Sequence, residues 1–186
     1  AVEECGAHPA ITNCPEDVVT ADRVILPGVG AFPEAMENLR RTGLADALHR
    51  RVAEEGHPFL GICLGMQLMA TAGTEISASR GLGWIPGEVR RIAAGPRARV
   101  PHIGWNEVHR DRDDVLFDGV TQDADFYFVH SFVVVPEQDD AVIGYTPYGD
   151  TRMVSALRRD NMWGVQFHPE KSQKIGFRVL RNFLAA

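Results

Sequence analysis

The segment PFLGICLGMQLMA, residues 58–70, places a cysteine between two glycines directly after an apolar run. The run PFLGI predicts a buried strand, and the residues from Leu64 onward predict a helix. A nucleophile on a sharp strand-to-helix turn needs small residues two before and two after it, because neighbouring backbone passes close to the turn. Gly61 and Gly65 hold those positions around Cys63, and the positive end of the following helix would favour a thiolate. The segment therefore predicts an activated nucleophile rather than a buried structural cysteine, which is the commoner role of an isolated cysteine.

The first half of the chain alternates predicted strands and helices around this segment. RVILPG predicts a strand, AIT (residues 10–12) a shorter one, and PEAMENLRRTG and LADALHRRVAEEG predict helices that stop at Gly43 and Gly56. The opening AVEECGA predicts the last turns of a helix that ends at Gly6. Such alternation implies a parallel sheet that is covered on both faces.

From about residue 85 the pattern favours strands over helices. GEVRRI, HIGWNEV, DFYFVHSFVVV and AVIGYT predict strands, and RMVSALR returns as MWGVQF through a turn at RDN. The final segment SQKIGFRVLRNFL predicts a helix with Ile175, Val179 and Phe183 on one apolar face. The second half is therefore expected to be mostly antiparallel.

Composition narrows the class of protein. The 186 residues suit a single domain, 1–186, and a net charge of -6 offers no basic surface for nucleic acid. The three cysteines form no CxxC pair, so neither a disulfide framework nor a zinc site is indicated. The longest apolar run is too short to cross a membrane, and DRDD (residues 111–114) predicts a solvated loop. We expect a cytoplasmic protein with no metal, no organic cofactor and no nucleic-acid or membrane partner.

A cysteine that performs acyl transfer needs a base and a group that orients the base. The segment QFHPEKS (residues 166–172) supplies both, because His168 follows an apolar strand and Pro169 favours an extended backbone before it. Glu170, two residues on, could then share the histidine's face and hold its ring. Cys63, His168 and Glu170 therefore form a candidate triad, although HPE alone would more often be an exposed turn.

An oxyanion hole needs two hydrogen-bond donors. One candidate is the backbone N–H of Leu64, directly after the nucleophile. PGVGAF (residues 27–32) could supply the other near Val29, because Gly28 and Gly30 allow backbone conformations that are closed to other residues. An ordinary glycine turn is the alternative, and neither GxGxxG nor GxxxxGK[ST] is completed to form a phosphate loop.

Together, PGVGAF, GICLGMQ and QFHPEKSQ resemble the class I, triad-type glutamine amidotransferases. Within them, GLGWIPGEV, PHIGWNEV, YFVHSF and the KSQ after HPE resemble the glutaminase subunits of imidazole glycerol phosphate synthases. The resemblance implies an α/β fold of three layers, with a mixed central sheet flanked by helices and antiparallel strands in the C-terminal half. It also implies glutamine hydrolysis, with ammonia passed to a (β/α)8-barrel cyclase subunit in a heterodimer.

The resemblance further implies roles for individual residues. Cys63 is the expected nucleophile, His168 the general acid and base, and Glu170 the residue that orients it. The residues expected to hold glutamine are Gly28, Gly30, Gln67, His130, Ser131 and Phe132, the last standing where a tyrosine is common. The residues expected to face the cyclase are Trp105, Asn106 and Lys171. The "PGVG" backbone is the expected two-state element through which the partner controls activity.

Members of this family begin with a strand and a glycine turn of the DYGMGN kind, which this sequence lacks before AVEECGA. We therefore expect either a piece of a longer protein or a first strand supplied in another way. Two other functions stay open at this point. One is a related amidotransferase or a free-standing cysteine hydrolase, and the other is a catalytically silent docking subunit.

Overall fold

The computed structural model describes residues 1–93, 95–96 and 98–186, and its centre is a five-stranded mixed sheet. The strands are β1 (Val24–Gly28), β2 (Phe59–Cys63), β3 (Ala70–Gly73), β4 (Ser79–Arg80), β5 (Ile85–Arg91), β6 (His102–Val108), β7 (Ala124–His130), β8 (Phe132–Pro136), β9 (Val142–Tyr148), β10 (Thr151–Arg159) and β11 (Met162–Val165). The α-helices are α1 (Pro15–Val18), α2 (Phe32–Arg41), α3 (Leu44–Leu48), α4 (Leu64–Leu68) and α5 (Gln173–Ala185). Short 3-10 helices cover Glu3–Cys5, Val115–Phe117, Asp139–Ala141 and Pro169–Lys171, and a π-helix covers His49–Glu54.

The central sheet has the strand order β1-β2-β11-β10-β9. Strands β1, β2 and β11 run parallel, whereas β10 pairs antiparallel with both β11 and β9. Gly28 pairs with Cys63, and Val165 pairs with Ile62. The carboxyl ends of three parallel strands therefore meet at one edge, which is where open α/β sheets bind ligands. The predicted α/β class, with a mixed sheet and antiparallel strands in the second half, is confirmed.

Two smaller sheets stand beside the central one, with the strand orders β4-β3-β5-β8 and β6-β7. The segment predicted as one strand over DFYFVHSFVVV is divided at Ser131, because β7 pairs with β6 and β8 pairs with β5. The chain thus passes from one sheet to another at His130, Ser131 and Phe132. Strands β3 and β4 were not expected from the sequence, since each is short.

Apolar clusters cover both faces of the central sheet. Phe59 packs in the cluster that contains α2 and α3, whereas its neighbour Leu60 packs in the cluster that contains α5. This alternation follows from the opposite directions of successive side chains on a strand. On α5, Val179 and Phe183 are fully buried, as the predicted apolar face requires.

Local differences from the sequence-based expectations have physical reasons. The predicted strand AIT is wrong, because residues 10–12 are exposed and belong to no strand. The predicted helix end at Gly6 is confirmed as a 3-10 turn with a left-handed glycine. The predicted solvated loop DRDD is wrong at Asp114, whose buried carboxylate caps the 3-10 helix Val115–Phe117. Among the described residues, no helix combines the length and the apolar character that a membrane span requires.

Candidate active site

Cys63 occupies the turn between β2 and α4 with a backbone conformation that is rare for a residue with a side chain. Its φ is 53° and its ψ is -107°. A Cβ atom on Gly61 would lie 2.6 Å from the backbone of Gly65, and one on Gly65 would lie 1.8 Å from the carbonyl oxygen of Leu26. The turn therefore requires glycine at both positions, as a strained strand-to-helix elbow does.

His168 follows β11 and is held firmly by the main chain around it. Its backbone N–H donates to the carbonyl of Tyr127 at 2.9 Å, and its own carbonyl accepts from the Ser172 hydroxyl at 2.7 Å. Because β11 is the parallel neighbour of β2, the residues after β11 reach the same edge as Cys63. The His168 ring is 4% exposed, and its Nδ1 lies 2.7 Å from Oε1 of Glu170.

The electrostatic setting favours the protonated form of His168. Burial lowers its pKa, but the interaction with Cys63, the hydrogen bond to Glu170 and the charge of Glu170 outweigh burial and raise the pKa to about 9. The other ring nitrogen, Nε2, is buried and has no aligned hydrogen-bond partner among the described residues. We therefore treat Cys63 as a close charge partner of this nitrogen rather than as the acceptor of a well-formed hydrogen bond.

Glu170 is held as a carboxylate beside the histidine. Burial would raise its pKa, but the hydrogen bond with His168, a bond to its own backbone and the charges of His168 and Lys171 lower the pKa. An ionised carboxylate on Nδ1 fixes the ring so that Nε2 faces the nucleophile. The arrangement can supply a nucleophile, a base and an orienting group for acyl-transfer chemistry.

Two buried amides extend this cluster. The Nε2 of Gln166 lies 3.6 Å from the sulfur of Cys63, and its Oε1 accepts from Nε2 of Gln67 at 3.0 Å. Gln67 also donates to the carbonyl oxygen of Phe132 at 3.0 Å. Gln166 is fully buried and was missed by the sequence analysis, although a polar residue two before His168 in an apolar strand was a usable signal.

A cavity of about 270 Å³ opens beside the nucleophile. Its lining residues are Val29, Gly30, Cys63, Leu64, Gln67, Glu75, Val129, His130, Ser131 and Phe132. Most residues expected to hold glutamine are therefore brought together, and Gly28 lies beside them as the strand partner of Cys63. Glu75, which no sequence pattern pointed to, is the one carboxylate among the described lining residues, and its Oε2 accepts from the N–H of Phe32 at 2.8 Å.

The two candidate oxyanion donors border the same cavity. Leu64 is the first residue of α4, where a backbone N–H has no partner within the helix. Val29 precedes Gly30, whose φ of 104° suits glycine, and the Val29 side chain is 83% exposed. The Val29 side chain therefore makes few packing contacts.

Two of the three residues expected at a partner interface, Trp105 and Asn106, lie on β6 with opposite directions, and Lys171 lies beside the ribbon at the end of the 3-10 helix Pro169–Lys171. Trp105 is 48% exposed and meets the ring of Tyr127 edge to face, with ring centroids 5.9 Å apart. The Nζ of Lys171 lies 5.8 Å above the same ring. Asn106 points to the other side of β6, where it donates to the carbonyl of Pro147 at 3.0 Å.

Other parts of the described chain offer less chemistry. A depression of about 600 Å³, lined by residues 98–101, Ile103, Tyr148 and Gly149, contains neither a thiol nor a carboxylate in its described lining. In the described ranges, no group of three or more His, Cys, Asp or Glu is arranged to hold a metal ion. We therefore assign the chemistry to the cavity beside Cys63.

Comparison with known proteins identifies the family that shares these features. Residues 1–186 match the family model described as glutamine amidotransferase class-I. The imidazole glycerol phosphate synthase subunit HisH of Moorella thermoacetica is 48% identical over 183 residues, which cover 98% of this chain and 85% of that protein. The subunit HisH 1 of Campylobacter jejuni is 44% identical over 183 residues, covering 98% and 90%. A solved structure described as a glutamine amidotransferase shares the fold, with a TM-score of 0.72 at 21% identity over 99% of this chain and 88% of that one.

Proposed function

We propose that this chain hydrolyses glutamine to glutamate and ammonia for histidine biosynthesis, because it belongs to the class I glutamine amidotransferases. Within that family it belongs to the HisH subunits of imidazole glycerol phosphate synthase. One observation carries the proposal. A cysteine on a strained strand-to-helix turn lies at the sheet edge where a buried histidine, paired with a partly exposed glutamate, is also placed, and a cavity opens beside them. This combination supports covalent acyl transfer.

Cys63 is the nucleophile in this proposal. Its thiolate, paired with the His168 imidazolium, attacks the side-chain amide carbon of glutamine, and a tetrahedral oxyanion forms. The backbone N–H groups of Leu64 and Val29 are the donors that we assign to this oxyanion. The C–N bond then breaks, His168 gives its proton to the leaving nitrogen, and ammonia departs from a thioester.

Water completes the cycle. His168, now neutral, takes a proton from a water molecule that attacks the thioester carbonyl, and collapse of the second tetrahedral species releases glutamate and the Cys63 thiolate. Glu170 keeps the imidazole oriented and stabilises its charged form throughout. One glutamine and one water molecule thus yield one glutamate and one ammonia.

Glutamine recognition falls to the other cavity residues. The main chain of His130, Ser131 and Phe132, together with Gly28 and Gly30, borders the substrate. Both amide hydrogens of Gln67 already meet protein acceptors, so its Oε1 is the atom left to accept from the ligand.

Glu75 is the charged member of this substrate site. We assign it to the α-ammonium group of glutamine, because a carboxylate at the cavity wall offers a charge-assisted bond to that cation.

The partner in this proposal is a (β/α)8-barrel cyclase, to which ammonia is passed for the formation of imidazole glycerol phosphate and an aminoimidazole carboxamide ribonucleotide. We place the contact on the surface with Trp105, Tyr127 and Lys171, which adjoins the triad because the backbone N–H of His168 donates to the carbonyl of Tyr127. Binding there would act on Val29 and its flanking glycines, whose backbone can change conformation at low cost.

Glutamate release from glutamine tests the proposal. We expect release by the complex of this chain with its cyclase and the cyclase nucleotide, little release by the chain alone, and none with Cys63→Ala in either state. Release that persists in Cys63→Ala would contradict the nucleophile. Full release without the partner would contradict partner control while leaving the hydrolysis proposal intact.

A further inference from the structure

Two histidines outside the triad are buried beside the cavity. His102 and His130 are 3% and 6% exposed, and they stand opposite each other as a pair on β6 and β7. Nδ1 of His102 lies 3.0 Å from Nε2 of His130. The ring of His102 also stacks on Phe128, with centroids 4.8 Å apart, and lies against Tyr148, with centroids 4.0 Å apart. Both rings therefore have fixed positions, and every ring nitrogen has a neighbour that determines its role.

The hydrogen-bond partners set the direction of this chain of rings. Nδ1 of His130 lies 2.9 Å from the carbonyl oxygen of Phe132, which can only accept, so Nδ1 donates. In a neutral ring Nε2 of His130 then accepts, and Nδ1 of His102 must donate to it. Nε2 of His102 in turn accepts from Nδ2 of Asn106 at 3.4 Å. Hydrogen bonds therefore run in one direction from Asn106 to Phe132 through two neutral imidazoles.

The surroundings keep both rings neutral. Burial lowers the pKa of His102 to about 4. Burial also lowers the pKa of His130 to about 4. The hydrogen bond to Phe132 raises this pKa, but charge interactions with His102 and His168 act in the same direction as burial. A proton on His130 would place a second cation beside the His168 imidazolium, so a relay of neutral rings is compatible with the charged triad.

The relay ends on an atom that serves the glutamine cavity. The Phe132 carbonyl accepts from His130 on one side and from Gln67 on the other, which uses both of its lone pairs. Phe132 stands where the chain passes from the β6–β7 ribbon to another sheet, and Gln67, His130 and Phe132 all line the cavity. The orientation of this peptide therefore depends on the donor supplied by His130, which itself depends on His102.

We propose that His102 is a positioning residue for glutamine binding, which acts through His130 to hold the Phe132 carbonyl and the Gln67 amide in the geometry that the substrate meets. The inference rests on the proposed function, since it concerns the same cavity. His102 does not line the cavity, so we assign its effect to the hydrogen bond that it donates to His130, which does line the cavity. A change at His102 should therefore affect substrate affinity more than the chemical step.

Three variants test this in the complex with the partner subunit. His102→Leu keeps a buried apolar side chain but removes the donor. His102→Asn places an amide N–H near the position of the histidine Nδ1. Tyr148→Phe keeps the ring that packs against His102 and removes only the hydroxyl that donates to the carbonyl of Arg99, so it is a control that leaves the relay intact. We expect KM for glutamine to rise about tenfold in His102→Leu with kcat within about twofold, and to stay within about threefold of wild type in the other two.

The outcomes separate the inference from the proposed function. An unchanged KM in His102→Leu, or equal losses in His102→Leu and His102→Asn, would overturn the positioning role. Glutamine affinity measured by calorimetry in a Cys63→Ala background gives the same comparison without turnover. If the wild-type complex shows no Cys63-dependent hydrolysis while His102→Leu still weakens glutamine binding, the proposed function fails and the inference stands.

A spectroscopic measurement on the wild-type protein does not depend on whether any variant folds. Imidazole nitrogen NMR at neutral pH should find both His102 and His130 as neutral rings protonated on Nδ1. A ring protonated on Nε2, or a cationic ring at either position, would reverse or interrupt the donor direction and would overturn the relay.

Discussion

The carbonyl oxygen of Leu26 lies against Gly65 so closely that a Cβ atom on Gly65 would be 1.8 Å from it. Leu26 belongs to β1, and Gly65 lies in the first turn of the helix that follows the nucleophile. This contact presses the helix start onto the neighbouring strand. The backbone of Cys63 is thereby confined to a conformation that an unsupported cysteine would leave.

Gly65→Ala should therefore disrupt the nucleophile turn. Because the clash is with backbone, which cannot rotate away, we expect a loss of at least about 3 kcal/mol in the free energy of unfolding, at the upper end of overpacking costs. Glutaminase activity should be lost with it. Gly83→Ala is the matched control, since a Cβ there meets nothing within 4 Å and only the positive φ is penalised, by about 1–2 kcal/mol. Denaturant unfolding measures both, and equal losses would contradict the role of the Leu26 contact.

Glu170→Gln should weaken catalysis and shift its pH dependence. An amide cannot stabilise the imidazolium as a carboxylate does, so the pKa of His168 should fall from about 9. We expect kcat to drop by about 10²–10⁴-fold. The fall of kcat/KM at high pH, which reports loss of the His168 proton in the free enzyme, should move to lower pH. Glu137→Gln, at an exposed position, serves as the control. If the high-pH fall of kcat/KM stays at the same pH in Glu170→Gln, Glu170 is not the residue that raises the pKa of His168.

Glu75→Gln should weaken glutamine binding while preserving the fold, because the amide oxygen can still accept from the N–H of Phe32. Loss of a charge-assisted bond predicts a rise in KM of about 10–100-fold. The analogue of glutamine with hydrogen in place of the α-amino group is the internal control. It should be bound weakly by the wild type and almost equally by the variant. If the variant weakens the analogue as much as glutamine, Glu75 does not contact the ammonium group.

Stability should fall as the pH drops from about 6.5 to about 4. The folded-state pKa values of His102 and His130 are each lowered to about 4, so between these pH values the unfolded chain binds protons that the folded chain does not. Each histidine should cost up to about 3 kcal/mol over this window. His168 contributes to stability with the opposite pH dependence. Its raised pKa stabilises the fold at low pH, and that contribution is lost between about pH 6.5 and pH 9. Free energies of unfolding measured between about pH 6.5 and 4, and between about pH 6.5 and 9, check both directions.

A variant isolates the acid window. His102→Asn should reduce the change in the free energy of unfolding between pH 6.5 and 4, because it removes one titrating ring. His8→Asn, which changes an exposed histidine, is the matched control. Identical curves for wild type and His102→Asn would show that the buried ring does not control acid stability.

Asp114→Asn should destabilise the fold although the site lies in a run of charges. The carboxylate accepts from the N–H of Leu116 at 2.9 Å, from Nε1 of Trp163 at 3.0 Å and from Arg158 at 3.0 Å. Since all three partners are donors, the NH2 group of an asparagine would face at least one of them without forming a hydrogen bond. We expect a loss of about 2–4 kcal/mol in the free energy of unfolding. Asp111→Asn is the control, because its ion pair with Arg152 is exposed and worth under about 1 kcal/mol. Melting temperatures that fall equally would contradict the difference in burial.

Features that depend on neighbours along the chain could be predicted from the residues alone. Glycines two before and two after Cys63 predicted the strained turn, and the proline between His168 and Glu170 predicted that the two side chains share a face. The apolar period of the last helix likewise predicted which side of it is buried. Each of these follows from steric limits on a few consecutive residues, and each is present in the structure.

The meeting of distant segments, in contrast, follows from packing in the folded chain. Strand β11 pairs with β2 because its apolar faces complete the sheet, and this pairing brings His168 and Gln166 to Cys63. Glu75 reaches the cavity from a loop with no periodic pattern, and Asp114 is buried because Arg158 of β10 and Trp163 of β11 approach it. Such contacts depend on the sum of many packing choices between elements far apart in the chain, which local spacing does not encode.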